Sequence, residues 1–299
     1  ELWAGWCSGQ RGVSAPVITQ QRQRVFTLLN RKKPFRVSDL TPAAVQDWLR
    51  ELPVGKTSLL PYSIALRSFV RYLRERGVLS SDPLAGIEWP SYQYNRTRFA
   101  TAEELALLNK SFPRKTERQR AAAVCVMFCH ATGAELNTAL GVTWADVNFD
   151  TREVYLAGTK NAYRKRWARV ANWYWPVLED LAKKARGKGR GEEGRRLFEP
   201  LAPGKKGRGL VSDLNRETCA AAGIQDLHVH DGRHTFAVRL LQAGAPVEVV
   251  SHQLGHKDAK MVLEIYGKWI VSAHEREEWE RRADARWKGV EEGPRRRVA

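Results

Sequence analysis

A mainly α-helical fold with one small antiparallel β-sheet, split into two domains, is what this sequence predicts. Three observations carry that expectation. Apolar residues recur at helical spacing through most of the chain, two short β-rich segments stand beside each other near residues 153–170, and a polar break follows residue 88. Residues 1–92 are expected to form a helical domain and residues 93–299 a mixed α+β domain closed by a peripheral helix.

In the first domain, Thr41-Pro42 is an N-cap followed by proline at the first helical position. Val45, Trp48 and Leu49 then recur with helical spacing until Pro53 stops the run. Leu66, Phe69, Val70 and Leu73 form the apolar stripe of a second helix, which Gly77 can end. Arg67, Arg71 and Arg74 share another face of that helix, where they are either a solvated surface or a row of phosphate contacts. The segment from Trp89 to Arg98, with Pro90, Ser91 and Asn95, reads as a linker.

The second domain opens at Thr101-Ala-Glu-Glu104, a capping-box pattern leading into Leu105, Leu107 and Leu108. The apolar run Ala121 to Ala131 reads as a buried helix. Its Cys125, Cys129 and His130 could be read as metal ligands, but the apolar setting favours core residues. Glu153-Val-Tyr-Leu and Arg166-Trp-Ala-Arg-Val are the two strands, joined by a polar turn that holds Lys160 and Asn161. Lys183 to Arg208 is rich in basic residues and glycine, lacks an apolar period, and reads as a loop. Farther on, Pro246 can start a helix, Gly255 can end it and Asp258 can cap the next, which carries Met261, Leu263 and Tyr266. Glu and Arg pairs at helical spacing make Ala273 to Trp287 the peripheral helix.

Fifty Lys and Arg against thirty-three Asp and Glu give a net charge of +17, a surplus that fits a polyanionic partner, with nucleic acid first. A basic surface serving solubility, or one bound to an acidic membrane, is the plainer alternative. No apolar run is long enough to span a bilayer, and Glu1 to Gln10 lack the pattern of a signal peptide, so a cytoplasmic, nucleoid-associated protein is expected. The start at Glu1 rather than Met suggests that native residues precede it. Four scattered cysteines do not make a disulfide framework.

Cleavage of a phosphodiester needs cations on the non-bridging oxygens, a nucleophile, and an acid for the leaving alkoxide. His230-Asp-Gly-Arg233 places an imidazole and a guanidinium three residues apart on one helix face, where both could reach one phosphate. His256 follows in Leu254-Gly255-His256, at a helix end expected to expose the imidazole, and Tyr266 comes ten residues later. Each piece alone has an ordinary structural explanation; their order and spacing together make the case.

On these residues the chain resembles the tyrosine recombinases, the phage-integrase family of site-specific DNA recombinases. The resemblance rests on Thr132-Gly133, Trp144-Ala-Asp146, Thr159-Lys160-Asn161, His230-Asp-Gly-Arg233-His-Thr-Phe, Leu254-Gly255-His256 and Ile265-Tyr266. It implies a helical core-binding domain followed by a catalytic domain, clamped around double-stranded DNA, with four copies assembled on specific recombination sites. It further implies that Tyr266 attacks the scissile phosphate to leave a 3′-phosphotyrosyl link, with no metal or nucleotide cofactor. Arg233 would hold non-bridging oxygens, His230 and His256 would orient them, and Lys160 would be the general acid.

One position departs from the pattern. The family's first arginine follows the Thr-Gly-apolar triplet, and here that position is Glu135, with no arginine between Arg120 and Arg152. A lost transition-state donor commonly costs about 10²- to 10³-fold in rate, and a carboxylate repels phosphate and can tie up Arg233. The expectation is therefore a recombinase, an integrase of a phage or other mobile element, impaired at Glu135. Glu135 would be either a substitution made to stall cleavage or the mark of a natural relative that binds DNA without cutting it. A type IB topoisomerase, with similar residue types, is the other enzyme to weigh.

Overall fold

The computed structural model describes residues 2–9, 13–31, 35–87, 89, 98–158, 162–187, 194–270 and 281, and among them are twelve α-helices, five short 3-10 turns and three β-strands. They fall into two units, Glu1–Asn95 and Arg96–Ala299. Of the expected linker only Trp89 and Arg98 are among the described residues, and the expected peripheral helix lies outside them except for Arg281.

The first unit holds helices α1 (Leu2–Ser8), α2 (Ala15–Leu29), α3 (Pro42–Glu51) and α4 (Lys56–Glu75). Thr41 caps α3 as its residue types predict, its hydroxyl accepting from the Ala44 amide at 3.2 Å, with Pro42 at the first helical position. Val45, Trp48 and Leu49 pack on Leu66 and Val70 of α4, and Leu28 of α2 joins them. The helix α4 starts ten residues before the apolar stripe that predicts it, because Pro61 lies inside it and hides its first turns. Gly77, at φ +68°, ends it in the left-handed conformation open to glycine.

The second unit is organised around α6 (Glu117–Thr132). Preceding it, α5 (Ala102–Ser111) begins with the predicted capping box: the Glu104 amide donates to the Thr101 hydroxyl at 3.1 Å and the Thr101 amide to the Glu104 carboxylate at 2.9 Å. From Ala122 to Thr132 nearly every residue of α6 is buried, Cys125 and Cys129 included. Phe128 meets the rings of Tyr174 and Phe198 edge-on. The short helix α7 (Leu136–Ala139) leads to a three-stranded antiparallel sheet of β1 (Val147–Asn148), β2 (Glu153–Ala157) and β3 (Lys165–Arg169), in the order β1-β2-β3. Along β2 and β3 the buried residues alternate with the others, which is the pattern of a sheet with one covered face.

The predicted loop from Lys183 to Arg208 is corrected at both ends. Helix α8 (Trp175–Gly187) runs into it, α9 (Lys205–Ala221) begins within it, and Leu197, Phe198 and Leu201 are buried between them. Three apolar side chains are too few to show a period, yet they suffice to anchor a turn onto a core that other elements supply.

Three further helices follow among the described residues: α10 (Asp231–Gln242), α11 (Val247–Leu254) and α12 (Lys260–Tyr266). Gly232 lets α10 lie directly on α6, since a Cβ there would stand 3.1 Å from the Cys129 carbonyl carbon and the His130 amide nitrogen. Among the described residues no helix is long and apolar enough to cross a membrane.

His130 supplies a pH test of this core. Burial first, and then the positive charge of Arg239, push its pKa down to about 3 from 6.5. The folded state thus keeps the imidazole neutral while the unfolded chain protonates near pH 6.5. The contribution is complete above that pH and is lost as pH falls toward 3, at about 1.4 kcal/mol per pH unit. Urea midpoints should therefore drop between pH 7 and pH 5, and His130→Gln should flatten that dependence. Equal slopes for the two proteins would contradict it.

Candidate active site

The C-terminal end of α6 is where the site begins. Thr132 turns its hydroxyl back to the Phe128 carbonyl at 2.7 Å, and Gly133, at φ +66°, ends the helix. A Cβ on Gly133 would stand 2.8 Å from Cδ1 of Phe236 and 3.0 Å from Cδ2 of Leu254. The end of α6, the second turn of α10 and the end of α11 therefore meet at this glycine.

Arg233, in the first turn of α10, is 4% exposed. Its Nη1 donates to the Gly133 carbonyl at 3.0 Å and its Nη2 to the Leu254 carbonyl. Two main-chain oxygens from distant parts of the chain thus fix the guanidinium plane. Burial, and then the nearby Arg164, lower its pKa to about 10, so it stays charged at neutral pH. His230 precedes it at the N-cap of α10 and is exposed, so the helix face that joins them has one buried and one accessible member.

His256 departs from expectation. It follows Gly255, which ends α11 at φ +67° as predicted, but the imidazole is buried at 9% exposure. The reason is the hairpin. A Cβ on Gly255 would lie 2.7 Å from the Tyr163 carbonyl oxygen, 2.9 Å from Nη1 of Arg166 and 3.2 Å from Cα of Arg164, so the entry to β3 covers this turn. Burial, followed by Arg233, Arg164 and Arg166, takes the His256 pKa down to about 4. It is a neutral imidazole at pH 7. Gly255→Ala should cost about 1–3 kcal/mol through backbone strain and steric overlap with the hairpin, read as a lower denaturant midpoint. An unchanged midpoint would remove the hairpin from this account.

Arg166, 7% exposed, staples the hairpin to α11. Its Nε donates to the Gln253 carbonyl at 2.7 Å, while the Gln253 side chain accepts from the Arg169 amide at 2.9 Å. Burial and then Arg233 and Arg164 lower its pKa to about 9. Arg164, in the short 3-10 turn before β3, pairs through Nη1 with Oε1 of Glu135 at 2.7 Å. The expected capture of Arg233 by Glu135 is thereby corrected: the Arg233 nitrogens go to main-chain carbonyls, and the Glu135 carboxylate takes the guanidinium of Arg164.

Tyr266 is the last residue of α12 and is 1% exposed, packed with Phe236, Leu241, Leu254 and Val262. Its hydroxyl lies 2.8 Å from Nδ1 of His234, which is itself buried beside Arg233 in α10. Thus Arg233, His256, Tyr266 and the accessible His230 are brought to one meeting point of α6, α10, α11 and α12. Lys160 lies outside the described residues.

Arg67, Arg71 and Arg74 belong to the first unit, on α4. The guanidinium of Arg67 lies over the Trp89 ring at 4.4 Å and that of Arg71 over Trp6 at 5.0 Å, while Arg74 pairs with Asp82 at 3.8 Å. Sequence reasoning missed three residues at the site: His234, Arg164 and Arg166. The first has a local signal, since it directly follows Arg233. The other two look like ordinary charges on a strand until the fold places them.

The phage integrase family model matches residues 98–269, more than half of the chain. The tyrosine recombinase XerC of Roseiflexus castenholzii is 27% identical over 263 residues, which cover 83% of this chain and 81% of that protein. Two solved structures share the fold. A lambda integrase dimer bound to a COC′ core site superposes with a TM-score of 0.70 at 14% identity, covering 91% of this chain and 94% of that one. A lambda integrase tetramer bound to a Holliday junction superposes with a TM-score of 0.68 at 14% identity, covering 87% and 75%. The motif order from Thr132 to Tyr266, the helical and β-sheet arrangement that carries it, and the matched family model agree: the chain belongs to the phage integrase family of tyrosine recombinases.

Proposed function

We propose that this chain cuts and rejoins double-stranded DNA at a specific site through a covalent link to Tyr266. The observation that carries this reading is the convergence of Arg233, His256 and Tyr266 at the start of α10 and the ends of α11 and α12. In the forward step the Tyr266 hydroxyl gives its proton to His230 as its oxygen bonds to phosphorus, the bond to the 5′ oxygen breaks, and the DNA keeps a 3′-phosphotyrosyl end. The freed 5′ oxygen takes a proton from Lys160, and attack by a 5′-hydroxyl of the partner strand reverses the chemistry. No external energy source is needed, because the ester to tyrosine conserves the bond energy.

Arg233 binds a non-bridging oxygen and stabilises the charge that grows there. His256, neutral at pH 7, donates an N–H to the same phosphate, and His230, exposed at the start of α10, reaches it from solvent. Both also serve in moving protons. Tyr266 is held by His234 and covered in the described conformation, so attack requires its hydroxyl to leave that pocket when DNA binds.

Four copies act together on two sites in this reading, in keeping with the lambda integrase tetramer bound to a Holliday junction. The net charge of +17 and the arginines of α4, Arg67, Arg71 and Arg74, serve the DNA backbone. The setting is the cytoplasmic nucleoid, and the natural substrate is the attachment site of a phage or other mobile element. Glu135 favours a second reading, a relative that binds DNA without cutting it.

The test is a nicked suicide duplex, its sequence selected from a random pool by retention on the full chain. Covalent protein–DNA adduct on a denaturing gel supports cleavage through Tyr266. Retention without adduct, for this chain and for Glu135→Arg alike, supports the non-cleaving relative.

A further inference from the structure

We propose that Arg164, delivered by the hairpin and held by Glu135, is a catalytic residue: the second guanidinium on the scissile phosphate. This rests on the reading of Tyr266 as nucleophile. A phosphoryl transition state carries its negative charge on two non-bridging oxygens, and Arg233 already commits both terminal nitrogens to the Gly133 and Leu254 carbonyls. A second fixed cation beside it therefore has a chemical task.

Geometry brings Arg164 to that place by two routes. From one side, Glu135 stands two residues after Gly133, whose carbonyl Arg233 grips, and its carboxylate holds Arg164 at 2.7 Å. From the other, the Arg164 backbone lies against Gly255, next to His256, and its carbonyl accepts from Nη1 of Arg166 at 3.2 Å and from the Gly158 amide at 3.2 Å. The Arg164 side chain is 14% exposed and that of Glu135 24%, so the pair sits at an open edge of the cluster.

Charge points the same way. Arg164 lowers the pKa of Arg233, Arg166 and His256, which places its positive charge within reach of each of them. Among the described residues the guanidiniums of Arg164, Arg166 and Arg233 outnumber the carboxylates of Glu135 and of Asp258, which acts on His256, so the cluster keeps positive charge to receive a phosphate despite Glu135. A guanidinium has five N–H donors in a planar fork, so one can hold a carboxylate and a phosphate oxygen together. Glu135 is then a positioning residue. The acidic side chain that looks damaging in the sequence orients a guanidinium that arrives from an element 29 residues farther along.

The experiment compares the full chain with Arg164→Ala, Arg164→Gln, Glu135→Arg and the double variant Glu135→Arg/Arg164→Ala on the selected suicide duplex. A second copy of the duplex carries a neutral methylphosphonate at the scissile position. Thermal midpoints and DNA retention establish that each variant is folded and binds. We expect the unmodified chain to form adduct, and Arg164→Ala and Arg164→Gln to form it about 100-fold more slowly. That deficit should shrink to below about tenfold on methylphosphonate, where one negative charge is gone, and the double variant should regain about tenfold or more, because the guanidinium then comes from the α6 side.

Cleavage by Arg164→Gln within about threefold of the unmodified chain overturns the proposal, as does a deficit that persists in full on methylphosphonate, which would mark a structural role. Adduct from Glu135→Arg but none from the unmodified chain also overturns it, leaving Tyr266 as nucleophile and Glu135 as a disabling residue. Absence of adduct from every variant removes the Tyr266 reading together with this one.

Discussion

Tyr266→Phe should retain DNA binding and yield no covalent adduct. The ring stays in its pocket among Phe236, Leu241, Leu254 and Val262, while the only atom able to bond to phosphorus is deleted. Loss of the 2.8 Å contact to Nδ1 of His234 should also cost about 1 kcal/mol of stability, because a buried hydrogen bond is removed from one side. Two measurements on the same protein check this: adduct on the suicide duplex and the urea midpoint. Adduct of undiminished yield from Tyr266→Phe would transfer the nucleophile to another residue and dismantle the site described above.

Arg233→Lys is expected to lose about 10²- to 10³-fold in cleavage, although it preserves the charge. An ammonium cannot keep the Gly133 and Leu254 carbonyls and face a phosphate oxygen in one plane, as the guanidinium does. The same geometry predicts a stability penalty of about 1–3 kcal/mol, since a buried main-chain oxygen loses its donor. Rate and folding separate if cleavage is measured at a temperature where the variant is fully folded. Cleavage within about threefold of the parent under those conditions would make Arg233 a structural strut rather than a phosphate ligand.

Features governed by neighbouring residues are legible in the sequence alone. The cap at Thr41-Pro42, the capping box at Thr101–Glu104 and the stop at Gly255 depend on three or four consecutive positions, and all three form. The two strands of the hairpin are equally local. Where the sequence misleads, the determinant lies elsewhere in the chain. The basic segment after Lys183 shows no period, yet Leu197, Phe198 and Leu201 are held by a core built from α6 and its neighbours. His256 lies at a predicted helix end but is covered, because a hairpin far upstream in the chain docks on Gly255.

By itself the sequence determined the family, the order of the candidate site residues and the identity of the nucleophile candidate, since these are encoded as residue types at short spacings from His230 to Tyr266. Only the tertiary structure decided what surrounds them. Arg233 finds its first carbonyl 100 residues away, Tyr266 meets a histidine 32 residues back, and Glu135 pairs with Arg164 across 29 residues. The reason is that a helix cap or a strand is stabilised by contacts within a few residues, whereas the electrostatics of a buried site depend on which distant charges the packed core brings within a few ångströms.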